Sequence, residues 1–460
     1  MAEHSVTVEN TLQTLLSEKK YATIRDILVT MNPADIAAVF EGVETDKLPL
    51  LFRLLPKELA AESFVEMESD QQEALIRGIS DSELRQVMDE LYVDDAVDIV
   101  EEMPANVVQR ILAQSDPEMR KEINEILQYP ENSAGSVMTT EYVKLSPGMT
   151  VGDAILRIRR TGVDKETIYT CYVLDNRLLV GTVSVKNLLL APSDLQTIDS
   201  IMDTTLITVT THTDQEEVAR TMSKYNLLAI PVVDGDNRMV GIVTFDDAMD
   251  VMEDEATEDI EIMAGMTPSD KTYLRSSPLD LFRHRSPWLA LLMVSATFTG
   301  LILTSFEEKL AKMVILTAFI PMLMDTGGNS GSQSSVTVIR ALSQNELEFR
   351  DILTVIWKEL RTAVLCGLAL GAVAFAKIML FDGMLLRTEG VNAMVGMVVA
   401  LTVLFTVMLA KIVGCTLPML AKKLGFDPAV MASPFITTIV DALSLLVYFG
   451  IATMLLPGLR

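Results

Sequence analysis

The sequence has few cysteines and few histidines, and both shortages exclude whole classes of function. Three cysteines, Cys171, Cys366 and Cys415, occur in 460 residues without a CxxC spacing, so the chain has no disulfide framework. The three histidines are scattered and form no HExxH motif. The sequence also lacks a phosphate-binding Gly-Lys loop and a paired nucleophile and base. Together these absences exclude an enzyme.

Basic side chains are also scarce relative to acidic ones. The chain has 37 lysines and arginines against 63 aspartates and glutamates, a formal net charge of -26. Because phosphate binding needs clustered basic side chains, this balance argues against a nucleic-acid partner and suits a protein that handles cations. Hydrophobic residues nevertheless make up 49% of the chain, and the mean hydropathy is +0.32. The two facts agree because the acidic and the apolar residues occupy different halves of the sequence.

Residues 1–128 show the periodicity of a soluble helical domain. Apolar residues recur at spacings of three and four, as in Leu84, Val87, Met88 and Leu91, which predicts helices. The segments "MNPADIA", "LPKELA", "MPANVV" and "SDPEM" begin new helices with Asn, Pro or Asp. The first residues lack the basic start and apolar core of a signal peptide. We therefore expect an all-α domain of short helix pairs that stays in the cytoplasm.

Residues 129–245 repeat one pattern twice. The first copy, 129–192, includes "SVMTTEYVKLSPGMTVGDAILRIRRTG", and the second, 193–245, includes "SIMDTTLITVTTHTDQEEVARTMSKYN". Each copy predicts a short strand, an amphipathic helix, two strands joined by a turn, and a closing helix. This α/β repeat resembles a tandem pair of CBS domains along both copies.

Residues 246–275 are predicted to form an acidic connecting helix. The stretch "FDDAMDVMEDEATEDIE" contains no basic residue, and Val251, Met252 and Ile260 supply only a sparse apolar stripe, so we do not expect burial among hydrophobic neighbours. Such a helix is either a solvated surface or a cation-binding face, since its acids repel one another unless cations lie between them. Its position between the repeats and the apolar half of the chain favours cation binding.

Residues 276–460 are predicted to form an α-helical transmembrane domain with five spans. Each span offers about the 20 residues that a bilayer-crossing helix requires. Lysines and arginines are more frequent in the loops on the side shared with the first half, so the positive-inside rule places that half in the cytoplasm. An odd number of spans also suggests a dimer with an ion path between the chains. The predicted spans are 287–304, 313–336, 363–381, 391–420 and 429–456.

Asp441 stands in the middle of the last predicted span. A charge at mid-membrane costs about 2.5–3.5 kcal/mol even on a lenient insertion scale, so such a residue usually has a function. Lys377 or Lys411 could be an ion-pair partner, which would make Asp441 structural. Alternatively, oxygens of Ser433 and Thr437 could join the carboxylate in a site for a hard, hydrated cation such as Mg²⁺. The sequence favours the cation site.

The second predicted span contains the polar stretch "PMLMDTGGNSGSQSS". Asp325 and Asn329 lie one helical turn apart in it, and its glycines and proline weaken the helix. Polar groups at membrane depth are tolerated when they are buried in protein or line a wet cavity, whereas glycines also permit close helix packing. Both interpretations can hold together, and the neighbouring acid and amide favour the lining of an ion path.

Together these motifs resemble the MgtE family of magnesium channels. The resemblance rests on "YPENSAGSVMTTEYV" before the repeats, "EATEDI" after them, "GGNSGSQ" in the second span and "PFITTIVDALSLLVYF" in the last. It implies a homodimer in the plasma membrane whose ion path follows the dimer axis and is closed by cytoplasmic domains when intracellular Mg²⁺ is plentiful. It also implies that Asp441 coordinates Mg²⁺ with oxygens at Thr437 and Ser433, although relatives often carry Asn at the position of Ser433.

The same resemblance implies Mg²⁺ sensor sites on the acidic helix and on the domains beside it. Bound cations would bridge acids of different domains, and their removal would restore repulsion and loosen the assembly. Asn226 occupies a position where relatives can carry an acid. The implied sensor residues are Asp94, Asp98, Asp214, Glu216, Asp250, Glu255, Glu258 and Asp259.

An adenine nucleotide is the other ligand that the resemblance allows, with ATP as a modulator of Mg²⁺ sensing. CBS pairs commonly bind such nucleotides in the cleft between the copies. Thr244 with Asp247 fits the usual ribose-binding spacing, and Ser184 with Asn187 is its weaker counterpart, but either pair could instead cap the helix that follows. A nucleotide sensor that conducts nothing and a proton- or sodium-coupled exchanger that uses Asp441 are the alternative functions.

Overall fold

The computed structural model describes residues 11–269, Tyr273 and residues 276–459, and for Ser433 and Gly458 it describes the backbone without the side chain. The chain divides into two compact units, Met1–Glu253 and Asp254–Arg460. The division falls within the acidic helix, so this helix contributes its first turns to one unit and its last turns to the other.

A series of short α-helices forms the amino-terminal part of the first unit, as predicted. The helix that follows Ser80 begins with a capping box between Ser80 and Glu83, and the helix that follows Asp116 is capped by that carboxylate. The apolar faces of the helices meet in one core. Between Tyr21 and Ile126 the helices are α1 (Tyr21–Leu28), α2 (Pro33–Glu41), α3 (Leu48–Phe52), α4 (Lys57–Val65), α5 (Ser69–Gly78), α6 (Asp81–Met88), α7 (Val93–Glu102), α8 (Ala105–Gln114) and α9 (Pro117–Ile126).

Two three-stranded sheets follow, one in each sequence repeat. In each sheet the first strand pairs parallel with the second, and the second pairs antiparallel with the third. A helix connects the first two strands of each repeat, and another helix follows the third strand, which confirms the predicted α/β repeat. In the second repeat this closing helix is the acidic helix. The elements are β1 (Tyr142–Leu145), α10 (Val151–Thr161), β2 (Thr167–Asp175), β3 (Leu178–Ser184), α11 (Val185–Leu189), β4 (Val209–Thr210), α12 (Gln215–Tyr225), β5 (Ala229–Val233), β6 (Met239–Thr244) and α13 (Phe245–Met263).

The two repeats share a core. The ring of Tyr142 lies edge-on to the ring of Tyr172, with centroids 5.6 Å apart. Both tyrosines belong to the first repeat, and both are buried against Ala229, Met239 and Ile242 of the second. The repeats therefore pack against each other as a pair.

Both ends of the acidic helix α13 are more buried than the sequence predicts. Near its start, Ala248 and Val251 are only 4% and 8% exposed and join the core of the first unit. At its end, Ile262 and Met263 pack against a small apolar cluster around Ile339 of the second unit. Two apolar residues thus anchor each end, whereas Met252 and Ile260 of the sparse stripe are exposed, and the expectation of a helix without hydrophobic neighbours is wrong.

Long helices make up most of the second unit. A 3₁₀-helix, Val314–Phe319, precedes the polar helix, another, Pro428–Met431, precedes the last long helix, and a π-helix, Ile378–Leu385, extends the fourth. The α-helices are α14 (Pro278–Ser305), α15 (Glu307–Lys312), α16 (Ile320–Ser343), α17 (Ile352–Lys377), α18 (Ala393–Lys423) and α19 (Ser433–Leu455).

Four of these helical stretches are long and apolar enough to cross a bilayer. They are Pro278–Ser305, Phe349–Leu385, Ala393–Lys423 and Pro428–Leu455. Helix α16 has 24 residues but carries the polar stretch, and it is not one of the four. The prediction of five spans is therefore not confirmed.

Glycines allow helix α16 to approach its neighbours closely. A side-chain carbon added to Gly328 would lie 2.9 Å from Cγ2 of Thr437 on α19, and one added to Gly331 would lie 2.8 Å from Cγ2 of Ile436. Any larger residue at these two positions would force the helices apart. The glycines thus have the packing role that the sequence suggested.

Candidate cation sites

A stripe of polar side chains runs along one face of α16. Asp325, Asn329 and Gln333 follow one another at intervals of four residues, and all three are exposed in the single chain. The Nδ2 atom of Asn329 donates a hydrogen bond to Oδ1 of Asp325 over 3.0 Å. We call these three residues the polar stripe. An exposed polar stripe on a helix among apolar helices needs water or protein beside it, since lipid cannot satisfy its hydrogen bonds.

Asp441 lies on α19, half-buried and close to the polar stripe. The contact between Gly328 and Thr437 brings the two helices together one turn before Asp441. Gly327 and Gly328 of α16 contact Val440 and Thr437 of α19. Asp325, one turn before Gly328, and Asp441 therefore lie in the same region of the membrane unit. Two carboxylates in one apolar region repel each other unless a cation lies between them.

Hydroxyl oxygens precede Asp441 along the same helix. Thr437 and Thr438 both donate their hydroxyl protons to the carbonyl oxygen of Pro434, over 2.9 and 3.1 Å. Because each proton is used in this way, the lone pairs of these oxygens remain available to a cation or its water shell. Ser433, the other predicted oxygen donor, has its side chain outside the described residues.

The lysines that could have paired with Asp441 have other partners. Lys377 donates to both carboxylate oxygens of Asp382, over 2.8 and 3.1 Å. Lys411 lies 3.7 Å from Glu359. The structure therefore contradicts the interpretation of Asp441 as half of an ion pair with either lysine.

A second group of carboxylates lies in the first unit, and we call it the acidic cluster. It consists of Asp94, Asp95 and Asp98 on α7, Asp247 on α13, and Glu166 just before β2. Asp94 is only 7% exposed, and its Oδ1 atom has no hydrogen-bond partner within the described residues. The Oε2 atom of Glu166 is also buried without such a partner. A buried carboxylate oxygen without a donor is costly and is suited to a cation.

Burial and mutual repulsion raise the pKa values throughout the acidic cluster. Burial, together with the charge of Asp247, raises the pKa of Asp95 and of Asp98 to about 7. Burial and the charge of Asp95 raise the pKa of Glu166 to about 8. The pKa of Asp94 is raised for the same two reasons as that of Asp98. At neutral pH the carboxylates of the cluster therefore remain partly protonated unless a cation neutralises their charge.

Neither group of carboxylates forms a closed coordination shell. Among residues 11–269 and 276–459, no three His, Cys, Asp or Glu side chains are arranged to hold one metal ion. Mg²⁺ keeps several waters and is often held by one or two carboxylates. The open arrangement therefore fits hydrated Mg²⁺ better than a metal such as Zn²⁺, which needs several direct protein ligands.

The other predicted sensor acids have different surroundings. Asp214 caps α12 by accepting hydrogen bonds from the backbone of Glu216 and Glu217, and Glu216 forms an ion pair with Arg220. Asn226 ends the same helix in a left-handed conformation. Burial raises the pKa of Asp250, as do two neighbouring acids. The remaining predicted acids, Glu255, Glu258 and Asp259, lie on the part of α13 that belongs to the second unit.

The sequence did not single out Glu166 as a sensor residue, and it assigned Asp247 to nucleotide binding. Glu166 lies in the loop segment "DKETIYT", which has neither a periodic pattern nor a motif. Its place opposite α7 depends on how the first CBS repeat packs on the helical domain. A signal for Asp247 was present, because it lies in the acidic stretch that the sequence assigned to cation binding.

A cavity of about 790 Å³ lies in the CBS pair. Ser184 and Asn187 line it, together with Lys186, Asp203 and Thr205. Ser184 also caps α11, since its Oγ atom accepts a hydrogen bond from the backbone of Asn187 over 3.1 Å. The cavity therefore offers a hydroxyl, an amide and a positive charge to one ligand.

The second predicted nucleotide position does not line this cavity. Thr244 is buried, and its hydroxyl donates to Oδ2 of Asp247 over 2.5 Å. Asp247 also belongs to the acidic cluster. The two predicted positions thus differ: Ser184 with Asn187 faces a cavity, whereas Thr244 with Asp247 faces acids.

Three family models match the chain in succession. The MgtE intracellular N domain matches residues 31–132, the CBS domain matches 134–194 and 198–254, and the MgtE divalent cation transporter matches 320–451. The magnesium transporter MgtE of Thermus thermophilus is 36% identical over 452 residues, which are 97% of this chain and 98% of the relative. That of Bacillus subtilis is 32% identical over 446 residues, 97% of this chain and 96% of the relative.

Solved structures resemble the amino-terminal half. The crystal structure of the cytosolic domain of the Mg²⁺ channel MgtE in complex with ATP has 35% identity and a TM-score of 0.50, and it covers 53% of this chain and 99% of that chain. The soluble part of a magnesium transporter has 29% identity and a TM-score of 0.51, with 55% and 99% covered. With its apolar helices in the other half, the chain is a multi-pass membrane protein with cytoplasmic helical and CBS domains. The chain belongs to the MgtE family of magnesium transporters, which are not enzymes.

Proposed function

We propose that this chain forms a Mg²⁺-selective channel that takes Mg²⁺ into the cell and is closed by intracellular Mg²⁺. One observation carries the proposal. The Asp441 carboxylate lies within the apolar unit beside the polar stripe, and the two nearby candidate lysines are already paired with other acids. A carboxylate kept at membrane depth without a basic partner is suited to a cation that passes or binds.

The ion path would follow α16 and α19. Asp441 supplies the charge, Asp325 and Asn329 supply further oxygens, and the oxygens of Thr437 and Ser433 hold water of the Mg²⁺ shell. Because a Mg²⁺ ion dehydrates reluctantly, oxygens that contact its water are sufficient for recognition. We further propose that two copies of the chain form a homodimer in which the polar stripes face a shared wet path. This arrangement would remove the polar stripe from lipid.

The acidic cluster would be the sensor. Without a cation its carboxylates repel one another, so α7, the loop of Glu166 and the start of α13 tend to separate. Bound Mg²⁺ would neutralise them and hold these three elements together. Because Mg²⁺ would bind the assembled elements more tightly than the separated ones, its binding would shift the equilibrium towards the assembled arrangement. The sensor residues that we propose are Asp94, Asp95, Asp98, Glu166, Asp214, Glu216, Asp247, Asp250, Glu255, Glu258 and Asp259.

Helix α13 is suited to carry the signal. Its first turns hold Asp247 of the acidic cluster, and its last turn packs through Ile262 and Met263. The partners of that last turn include Ala432, the residue immediately before α19. A single continuous helix therefore joins the sensor to the base of the helix that carries Asp441.

ATP is the second ligand that we propose. The cavity beside Ser184 and Asn187 is large enough for a nucleotide, and Lys186 can face its phosphates. One similar solved structure is a complex with ATP. Binding there would stiffen the CBS pair and so modulate Mg²⁺ sensing.

Flux of Mg²⁺ into liposomes that contain the full-length chain tests the ion path. We expect the wild type to conduct and Asp441→Asn to lose conduction, because the amide removes the charge and keeps the shape. The matched control is the double variant K377M/D382N, which removes an ion pair of the membrane unit that has no hydrogen bond to the polar stripe and should still conduct. Equal flux through the wild type and Asp441→Asn would contradict the proposed path.

A further inference from the structure

Three helices of the membrane unit meet at one buried polar contact. Lys411 on α18 has 7% of its side chain exposed, and its Nζ atom lies 3.2 Å from Oγ of Ser334 and 3.7 Å from Oε2 of Glu359. Ser334 on α16 donates its hydroxyl proton to the same Glu359 oxygen over 2.5 Å. Glu359 lies on α17 with 15% of its side chain exposed. We call these three residues the polar clamp.

Stability alone is a poor explanation for the polar clamp. Placing two charges in an apolar region costs desolvation energy that their attraction often fails to offset, and apolar residues of similar size often stabilise as well or better. The best-attested use of such buried polar contacts is to select one packing arrangement among several of similar energy. The question is therefore which arrangement the polar clamp selects.

Helix α16 meets its neighbours through a face that carries small residues in its middle. Gly327, Gly328 and Gly331 give close approach there, and buried apolar side chains such as Leu323 and Val338 lie towards the two ends. Each residue of an α-helix turns the chain by about 100°, so a modest rotation about the axis would move the polar stripe out of its present direction. The close glycine contacts oppose such a rotation through packing, but they supply no directional bond.

The polar clamp adds a directional restraint to this packing. Ser334 directly follows Gln333 of the polar stripe and lies on the buried face, where Lys411 and Glu359 hold its hydroxyl from two different helices. The next residue, Ser335, donates its hydroxyl proton to the carbonyl oxygen of Met431 over 2.8 Å. Consecutive serines therefore fix one turn of α16 to α17, to α18 and to the segment before α19.

We propose that Glu359 and Lys411 are positioning residues for conduction. Through Ser334 they fix the rotation of α16 so that Asp325 and Asn329 face the ion path beside Asp441. They do not contact the ion themselves. This inference rests on the proposed function, since a fixed rotation matters only if the polar stripe lines the path.

Four variants of the full-length chain in liposomes test the inference, with flux measured over a range of Mg²⁺ concentrations. K411M/E359M removes both charges, and Ser334 can then turn its hydroxyl to a carbonyl of its own helix. K411E/E359K exchanges the charges, which the serine hydroxyl can still bridge as both donor and acceptor. S334A removes only the hydroxyl. K377M/D382N removes an ion pair between the end of α17 and the π-helix that follows it, a pair without a hydrogen bond to the polar clamp, and is the control.

We expect the half-saturating Mg²⁺ concentration to rise about tenfold in K411M/E359M, within the range of coupling measured between contacting residues, while the unfolding temperature stays near that of the wild type. S334A should shift it in the same direction by a smaller factor. K411E/E359K should return it to within about twofold of the wild type, and the control should leave it unchanged.

An unchanged half-saturating concentration in a folded K411M/E359M would overturn the inference while leaving the proposed function intact. If K411M/E359M does not fold, S334A provides the test instead. A half-saturating Mg²⁺ concentration in S334A equal to that of the wild type would also overturn the inference. A wild type without any Mg²⁺ flux would instead refute the proposed function, and the positioning role would fall with it.

Discussion

The carboxylates of the two units differ in how they are neutralised. In the membrane unit, Asp382 and Glu359 each have a lysine within 4 Å, whereas Asp325 and Asp441 have none among the residues that the structure describes. In the first unit no lysine or arginine pairs with the acidic cluster among the residues that the structure describes. A carboxylate with a basic partner is satisfied by the protein itself. The proposed Mg²⁺ sites therefore lie at the carboxylates without a basic partner, which are Asp325 and Asp441 in the membrane unit and the acidic cluster in the first unit.

Breaking a satisfied pair should have the largest effect on stability. Glu359→Gln leaves the charge of Lys411 buried without a carboxylate, and removal of one partner from a buried pair costs about 3–5 kcal/mol. The unfolding of full-length protein in detergent, followed by the fluorescence of Trp357 on the same helix, would measure this loss. Asp441→Asn is the contrasting variant and should lose little or no stability, because it removes a charge that has no lysine partner.

Removing charges from the acidic cluster should abolish a stabilisation by Mg²⁺. A ligand at 100 times its dissociation constant stabilises the form that binds it by about 2.7 kcal/mol. We expect Mg²⁺ to slow hydrogen exchange in α7 of the full-length wild type by this amount and to have little effect on D95N/D98N. Without Mg²⁺ the variant should exchange more slowly than the wild type, since two repelling charges are gone. Faster exchange in the variant would mean that the cluster is not under repulsion.

The acidic cluster should also respond to pH in a direction opposite to that of paired carboxylates. Because the folded pKa values of Asp98 and Glu166 are raised to about 7 and about 8, the folded unit binds more protons than the unfolded chain. Without Mg²⁺, the stability of the folded unit is therefore highest below pH 4, which is about the pKa of these carboxyl groups in the unfolded chain. The stability falls as the pH rises towards 8. Mg²⁺ should prevent this loss of stability, because the bound cation neutralises the carboxylates that lose their protons as the pH rises.

Protection factors of α7 at pH 6 and pH 8, each with and without Mg²⁺, would measure the pH response. Protection without Mg²⁺ that increases from pH 6 to pH 8 would contradict the raised pKa values. If Mg²⁺ increases the protection factors equally at pH 6 and pH 8, protons and Mg²⁺ do not compete for the carboxylates of the acidic cluster.

The smallest predicted effect separates the two CBS positions. Ser184→Ala should weaken ATP binding about fivefold to tenfold, as expected for one lost hydrogen bond to a phosphate or sugar. Thr244→Ala should leave ATP affinity unchanged, because Thr244 faces Asp247 and not the cavity. Equilibrium binding of ATP to the full-length protein would measure both. A larger loss in Thr244→Ala would move the nucleotide to the side of the acidic cluster.

Much of the architecture follows from local sequence patterns. The helical domain and the two CBS copies are periodic or repeated, so residues close in sequence are enough to predict them. Asp441 was identifiable in the same way, since a single carboxylate in an apolar run has a physical cost that the sequence shows. These predictions needed no knowledge of which elements touch.

The parts that the sequence could not predict depend on contacts between distant elements. The sequence offered Lys377 and Lys411 as partners for Asp441, but Lys411 meets Glu359 of another helix, and only the packing of the two helices decides this contact. Lys377 instead meets Asp382, five residues further along its own helical stretch. Glu166 reaches the acidic cluster only through the packing of a CBS loop on α7. The count of five spans is not confirmed for another reason: the polar stripe on α16 lowers the hydropathy that defines a span.

Recording Mg²⁺ current from single channels in excised membrane patches tests the division of roles most directly. The account predicts that D95N/D98N keeps the unitary current of the wild type but stays open at cytoplasmic Mg²⁺ concentrations that close the wild type. Asp441→Asn should lose the unitary current itself. If D95N/D98N closes at the same Mg²⁺ concentration as the wild type, the acidic cluster is not the sensor. If Asp441→Asn keeps the unitary current of the wild type, the Asp441 carboxylate is not required for Mg²⁺ conduction.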